Sequence, residues 1–169
     1  MTIGQLNDTD REAFVAFTGS AFEHSPWIAA AAWERRPFDD LEDLLAKMRA
    51  TIEAAPLDAK IALIAGHPDL AGRLAREGRL TAASQEEQRA AGLEHLSDSE
   101  RAVFERLNAR YRDRFGFPFV ICAREQTKAS ILSALSERVR NERGSEIAVA
   151  LMEIVKIARL RLRKIVTSV

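Results

Sequence analysis

Apolar residues recur at helical spacing along almost the whole chain, and this periodicity constrains the fold more than any other feature. Leu41, Leu44, Leu45, Met48 and Ile52 form one stripe behind the cap candidates Asp39 and Asp40. Val103, Phe104, Leu107 and Tyr111 form another behind the capping-box pattern Ser97-x-x-Glu100. The pattern predicts helices opening near Asn7–Asp10, Pro26, Asp39–Asp40, Leu57, Asp69, Ser84, Ser97, Thr127 and Gly144, with Gly19, Pro37, Pro56, Gly92 and Gly116 as stops. One stretch departs from it. Phe117-Pro118-Phe119-Val120-Ile121-Cys122-Ala123 is continuously apolar and extended, yet no second strand pattern exists to pair with it. The expected fold is therefore all-α: a single compact multi-helix domain over residues 1–169, of about eight helices, with one extended apolar loop lying across them.

Charge narrows the function classes. Lys+Arg and Asp+Glu number 25 each in 169 residues, so no basic field favours nucleic acid or an anionic membrane as partner. The longest apolar runs, Ile61–Gly66 and Phe117–Ala123, are too short to span a bilayer. No basic-then-apolar leader opens the chain, and it ends Thr-Ser-Val rather than in a peroxisomal tripeptide, so a cytoplasmic location is expected. Cys122 is the single cysteine, in an apolar run with no activating cation, and reads as packing rather than as a nucleophile. His24, His67 and His95 lack metal-ligand spacing, so no metal is expected.

Two places carry candidate chemistry. His67-Pro68 reads as a helix entry, with Pro68 in the first helical position and His67 at the N-cap. A histidine there changes charge near neutral pH, and a carboxylate such as Glu87, bonded to it, would fix its tautomer. Ser84-x-x-Glu87 is equally a capping box, which ties up two amides whether or not anything binds, and His67 could simply close a loop on a backbone carbonyl. The second place is the last helix, read as Glu146–Val166. Counting from Ile147, one face carries Leu151, Ile154, Val155, Ala158, Leu162 and Ile165; Arg161 falls on it, whereas Lys156, Arg159, Arg163 and Lys164 do not. A guanidinium in an apolar face needs an anion. A buried salt bridge, an arginine snorkelling out at a dimer seam and an anionic-ligand role all remain open.

Taken together, His67-Pro68-Asp69-Leu70, Ser84-x-x-Glu87-Gln88, Phe117-Pro118-Phe119-Val120-Ile121 and Arg161 resemble one family, that of 2-oxo-4-hydroxy-4-carboxy-5-ureidoimidazoline (OHCU) decarboxylase. Phe22-Glu23-His24-Ser25-Pro26-Trp27-Ile28-Ala29 and Ile157-Ala158-x-Leu160-Arg161-Leu162 fit it too. The resemblance implies an all-helical, cofactor-independent homodimer that converts OHCU to S-(+)-allantoin in urate degradation. It implies that His67 is catalytic, with Glu87 and Arg161 as companions. It further implies that Pro68, Ser84, Gln85, Glu86, Glu87, Gln88, Phe119, Val120, Ile121, Cys122 and Ala123, with Arg161, bind the substrate. The rival reading is a non-catalytic helical homodimer that binds a small anionic ligand or partner through Arg161.

Overall fold

The computed structural model describes residues 1–72, 75 and 77–167. Nine α-helices and two 3-10 turns lie among them, and no strand does, so the chain is all-α as expected. It divides into two compact units, Met1–Gly66 with Val155–Val169, and His67–Ile154.

The first unit contains α1 (Ile3–Asp8), α2 (Arg11–Thr18), α3 (Trp27–Trp33), α4 (Leu41–Ala54) and α5 (Leu57–Ala65). Helix α1 was not foreseen, because it buries only Leu6 and so carries no stripe; its signature is the Thr2–Gln5 capping box. Of the Asn7–Asp10 cap candidates, only Asp10 caps α2, accepting from Ala13 N at 2.8 Å. Asn7 instead clips a distant backbone, accepting from Phe38 N at 2.8 Å and donating to Phe38 O at 2.9 Å. Asp40 caps α4 as predicted, and Leu44, Leu45, Met48 and Ile52 are buried. They join Phe14, Phe22, Ile28 and Ala32 in the core, where Phe14 stacks on Phe38.

The second unit contains α6 (Ala82–Ala90), α7 (Asp98–Phe115) and α8 (Lys128–Arg138). The long helix α9 (Arg143–Ile165) contributes its residues up to Ile154 to this unit and those from Val155 onward to the first. Ser97 and Thr127 cap α7 and α8 as read from the sequence, and Gly116 closes α7 in the left-handed region at φ 79°. Phe117–Ala123 is wholly buried and forms no ladder. Tyr111 holds it in place, its ring lying 6.1 Å from that of Phe117 and 5.3 Å from that of Phe119.

Two readings are corrected. The cap of α6 is Thr81, whose hydroxyl accepts from Ser84 N at 3.3 Å, so Ser84 is the third residue of the helix and Ser84-x-x-Glu87 is not a capping box. His67 is not an N-cap: it sits in a bend, Pro68 and Asp69 are irregular, and Leu70–Ala71 is a turn. The reason is local. Ala71 stands at φ 52°, which no right-handed helix accepts, so no helix runs on from Pro68. Of the rest of the helix expected over Asp69–Arg76, Gly72 is a bend and Ala75 is helical, while residues 73, 74 and 76 lie outside the described residues.

Candidate active site

His67 follows Gly66, the C-cap of α5, and is 5% exposed. The loop after it is fixed by side chains from two helices. Gln88 of α6 accepts from Ala71 N at 2.9 Å and donates to Asp69 O at 3.4 Å. Asn108 of α7 donates to Leu70 O at 2.9 Å. Arg112, one turn further along α7, grips the Asp69 carboxylate, with Nε 3.0 Å from both oxygens and Nη2 2.9 Å from Oδ2. A Cβ at Gly72 would lie 2.6 Å from Asp69 Cβ, so the loop tolerates only glycine there. Gln88, Asn108 and Arg112 together hold the left-handed Ala71 in a conformation it would otherwise avoid. Pro68 is half-buried within the same loop.

The Ser84–Gln88 stretch presents two faces of α6. Ser84 and Gln88, one turn apart, are buried at 4% and 5% exposure. Glu87 is half-buried, and Gln85 and Glu86 are exposed. Gln85 and Gln88 line a cleft of about 420 Å³ with Ala71, Leu80, Leu93 and Arg101. Glu86 pairs with Arg124 at 3.0 Å, tying α6 to the 3-10 turn Ala123–Glu125 that ends the apolar segment. His67, Ser84–Gln88 and Phe119–Ala123 thus belong to one compact unit.

Arg161 lies in the first unit, on α9, and is 8% exposed. Its Nη1 donates to Glu23 Oε2 at 2.7 Å and to Ser20 O at 3.5 Å. Arg161 thus forms a buried salt bridge with Glu23. Glu23, 4% exposed, is a residue that sequence reasoning passed over as part of a turn. Other residues missed are Asn108, Arg112, Arg138, Glu146 and Glu153. Of these, Glu146 and Glu153 carried a signal, since they stand two turns apart beside the apolar face of α9.

Glu146 is fully buried and accepts from Arg138 Nε at 2.8 Å, Arg138 Nη2 at 2.5 Å, Asn141 Nδ2 at 2.7 Å and the Tyr111 hydroxyl. Burial, and then the Glu146 carboxylate beside it, push the Tyr111 phenol well above its ordinary value, so it stays a neutral donor. Cys122 is a free, buried cysteine. His24 and His95 are exposed. Among the described residues, no cluster of three His, Cys, Asp or Glu could hold a metal, and no helix is long and apolar enough to cross a membrane.

Comparison with known proteins places this arrangement. The family model "OHCU decarboxylase" matches residues 7–163. The 2-oxo-4-hydroxy-4-carboxy-5-ureidoimidazoline decarboxylase of Amia calva is 44% identical over 166 residues, covering 98% of this chain and 95% of that one. A crystal structure of (S)-allantoin synthase superposes with a TM-score of 0.80 at 30% identity, covering 99% of this chain, which spans 54% of that structure's chain. A crystal structure of OHCU decarboxylase in the presence of (S)-allantoin gives a TM-score of 0.69 at 25% identity, covering 92% of this chain and 97% of that one. A match of this length, at this identity and with the same helical architecture, shows that the chain belongs to the OHCU decarboxylase family.

Proposed function

We propose that the protein decarboxylates 2-oxo-4-hydroxy-4-carboxy-5-ureidoimidazoline to (S)-allantoin, with residues 1–169 acting as one domain of that family. The observation that carries this reading is the family match over residues 7–163. The burial of His67 on a loop anchored by three side chains supports it, because a group that moves a proton must be held still.

The substrate explains why little besides positioning is required. Its carboxylate sits on a carbon that bears a hydroxyl and adjoins a C=N bond. As the carbon–carboxylate bond breaks, the electron pair left behind is taken up by the C=N, whose nitrogen gains a proton. The hydroxyl then gives up its proton and the ureido-bearing carbon takes one, so that a C=O and a new stereocentre form. The protein has to orient the substrate, stabilise charge and deliver that last proton to one face. In this scheme His67 transfers a proton to or from the substrate, Glu87 orients His67, and Arg161 steadies a substrate oxygen. Pro68, Ser84–Gln88 and Phe119–Ala123 bind the substrate, and the apolar Phe119–Ile121 wall lies against the departing carboxylate, where a tight ionic grip would oppose loss of charge.

The amide of Gln88 is bonded at both ends to the loop backbone, so it also shapes the His67 loop. The working state is expected to be a cytoplasmic homodimer, and sedimentation of the purified chain reads its mass directly. The test of the activity is circular dichroism at an allantoin band, with OHCU generated in place from urate. Wild-type protein accelerates the appearance of the S enantiomer over the spontaneous racemic decay. His67→Gln lowers that rate by about 10²- to 10⁴-fold while its far-ultraviolet spectrum is unchanged. An unchanged rate with wild-type protein would defeat the reading, and full activity in His67→Gln would remove His67 from the chemistry.

A further inference from the structure

We propose that Arg138 and Glu153 are positioning residues that clamp the Val120–Cys122 backbone from two helices and so shape the substrate-binding wall; this rests on the function proposed above. Arg138, near the C-terminus of α8, donates from Nη1 to Val120 O at 2.9 Å, and its guanidinium lies 4.4 Å from the centre of the Phe119 ring. Its Nε and Nη2 donate to Glu146, which Tyr111 and Asn141 hold in turn, so the guanidinium is braced on the side away from Val120. Glu153, two turns after Glu146 on α9 and 8% exposed, accepts from Cys122 N at 2.8 Å. Two carboxylates and a guanidinium are costly to bury for packing alone, and here they converge on one short stretch with no regular structure to hold it.

The bonds are placed with a consequence. Val120 C=O and Ile121 N–H belong to one peptide plane, and Ile121 C=O and Cys122 N–H to the next. In a trans peptide the carbonyl and the N–H point in opposite directions. Anchoring Val120 C=O and Cys122 N–H therefore turns the Ile121 N–H and C=O away from the clamp, as a donor and an acceptor on one residue. Cys122 C=O and Ala123 C=O are occupied by Glu125 N and Gln126 N. Ile121 is 8% exposed, and its backbone groups have no protein partner among the described residues. A donor–acceptor pair in an apolar setting matches an HN–C=O edge, which ureido and imidazoline groups both present.

The experiment combines kinetics with amide exchange on the full chain. Glu153→Met removes the acceptor for Cys122 N and raises KM about tenfold with little change in kcat, whereas Glu153→Gln, whose amide oxygen accepts the same N–H, restores KM. Arg138→Met paired with Glu146→Gln, which leaves no uncompensated buried charge, raises KM in the same way. Hydrogen exchange on the wild-type protein needs no variant: Cys122 N–H is protected without ligand, and Ile121 N–H becomes protected only when (S)-allantoin is added. Folded variants with wild-type KM, or rapid exchange at Cys122 N–H, would overturn the clamp. The wild-type rate, measured alongside, separates the two readings: an inactive wild type defeats the decarboxylase, and an active one with indifferent variants defeats only the clamp.

Discussion

Arg161 cannot shed its charge at any pH at which the protein folds, so its burial calls for an anion, and Glu23 supplies one. Their side chains are 9% and 3% exposed, which leaves water little part in screening the pair. Breaking such a pair from one side strands a buried charge, and Glu23→Gln should destabilise the protein by about 3–5 kcal/mol in urea unfolding. Replacing both, as Arg161→Met with Glu23→Met, should recover most of that loss, because the charge goes with its partner. The same logic makes Tyr111 a fixed donor to Glu146 rather than a titrating group. At this scale the sequence marked Arg161 as a cation in an apolar face, but Glu23 stands far from it along the chain and nothing local announced the match.

Helix ends depend on single side chains. Thr81, rather than Ser84, opens α6, and Thr81→Ala should lower stability by about 1 kcal/mol. Both residues present a hydroxyl within one turn, so the sequence offers two starts for the same helix, and burial of Ser84 at 4% exposure selects the earlier one. Where only one cap fits, as at Ser97 and Thr127, the reading from sequence is met. Gln88 shows the reverse dependence, a helix holding a loop. Gln88→Leu removes both bonds to the Asp69 and Ala71 backbone and should destabilise by about 1–3 kcal/mol. It should also slow decarboxylation, since His67 heads that loop. Gln88→Glu, which retains the oxygen facing Ala71 N, should lose less of both.

Across the molecule, Asp43 and Glu100 are carboxylates with lowered pKa values, and both contribute to the response to acid. Asp43 is held below its ordinary 3.8 by the hydrogen bond from Lys47 and then by Asp39 N–H. Glu100 is held below its ordinary 4.5 by the bond from Lys128 and then by Ser97 N–H. A carboxylate with a lowered folded value contributes stability that is complete above its unfolded value and is lost as pH falls through the folded one. Thermal unfolding temperature should therefore decline below about pH 4.5, and Lys128→Met should flatten part of that decline, more visibly at low salt because Glu100 is exposed to water. The all-α class, most helix ends and the existence of one buried stretch that is not helical can be read along the chain. Those follow from periodicity, capping side chains and glycine, whose effects act within a turn or two. Folding is what makes Glu23 answer Arg161, sets Gln88, Asn108 and Arg112 to anchor the His67 loop, and brings Arg138 and Glu153 onto Val120 and Cys122. Each of these joins groups separated by many residues, and a hydrogen bond between distant groups leaves no period in the chain for a reader to find.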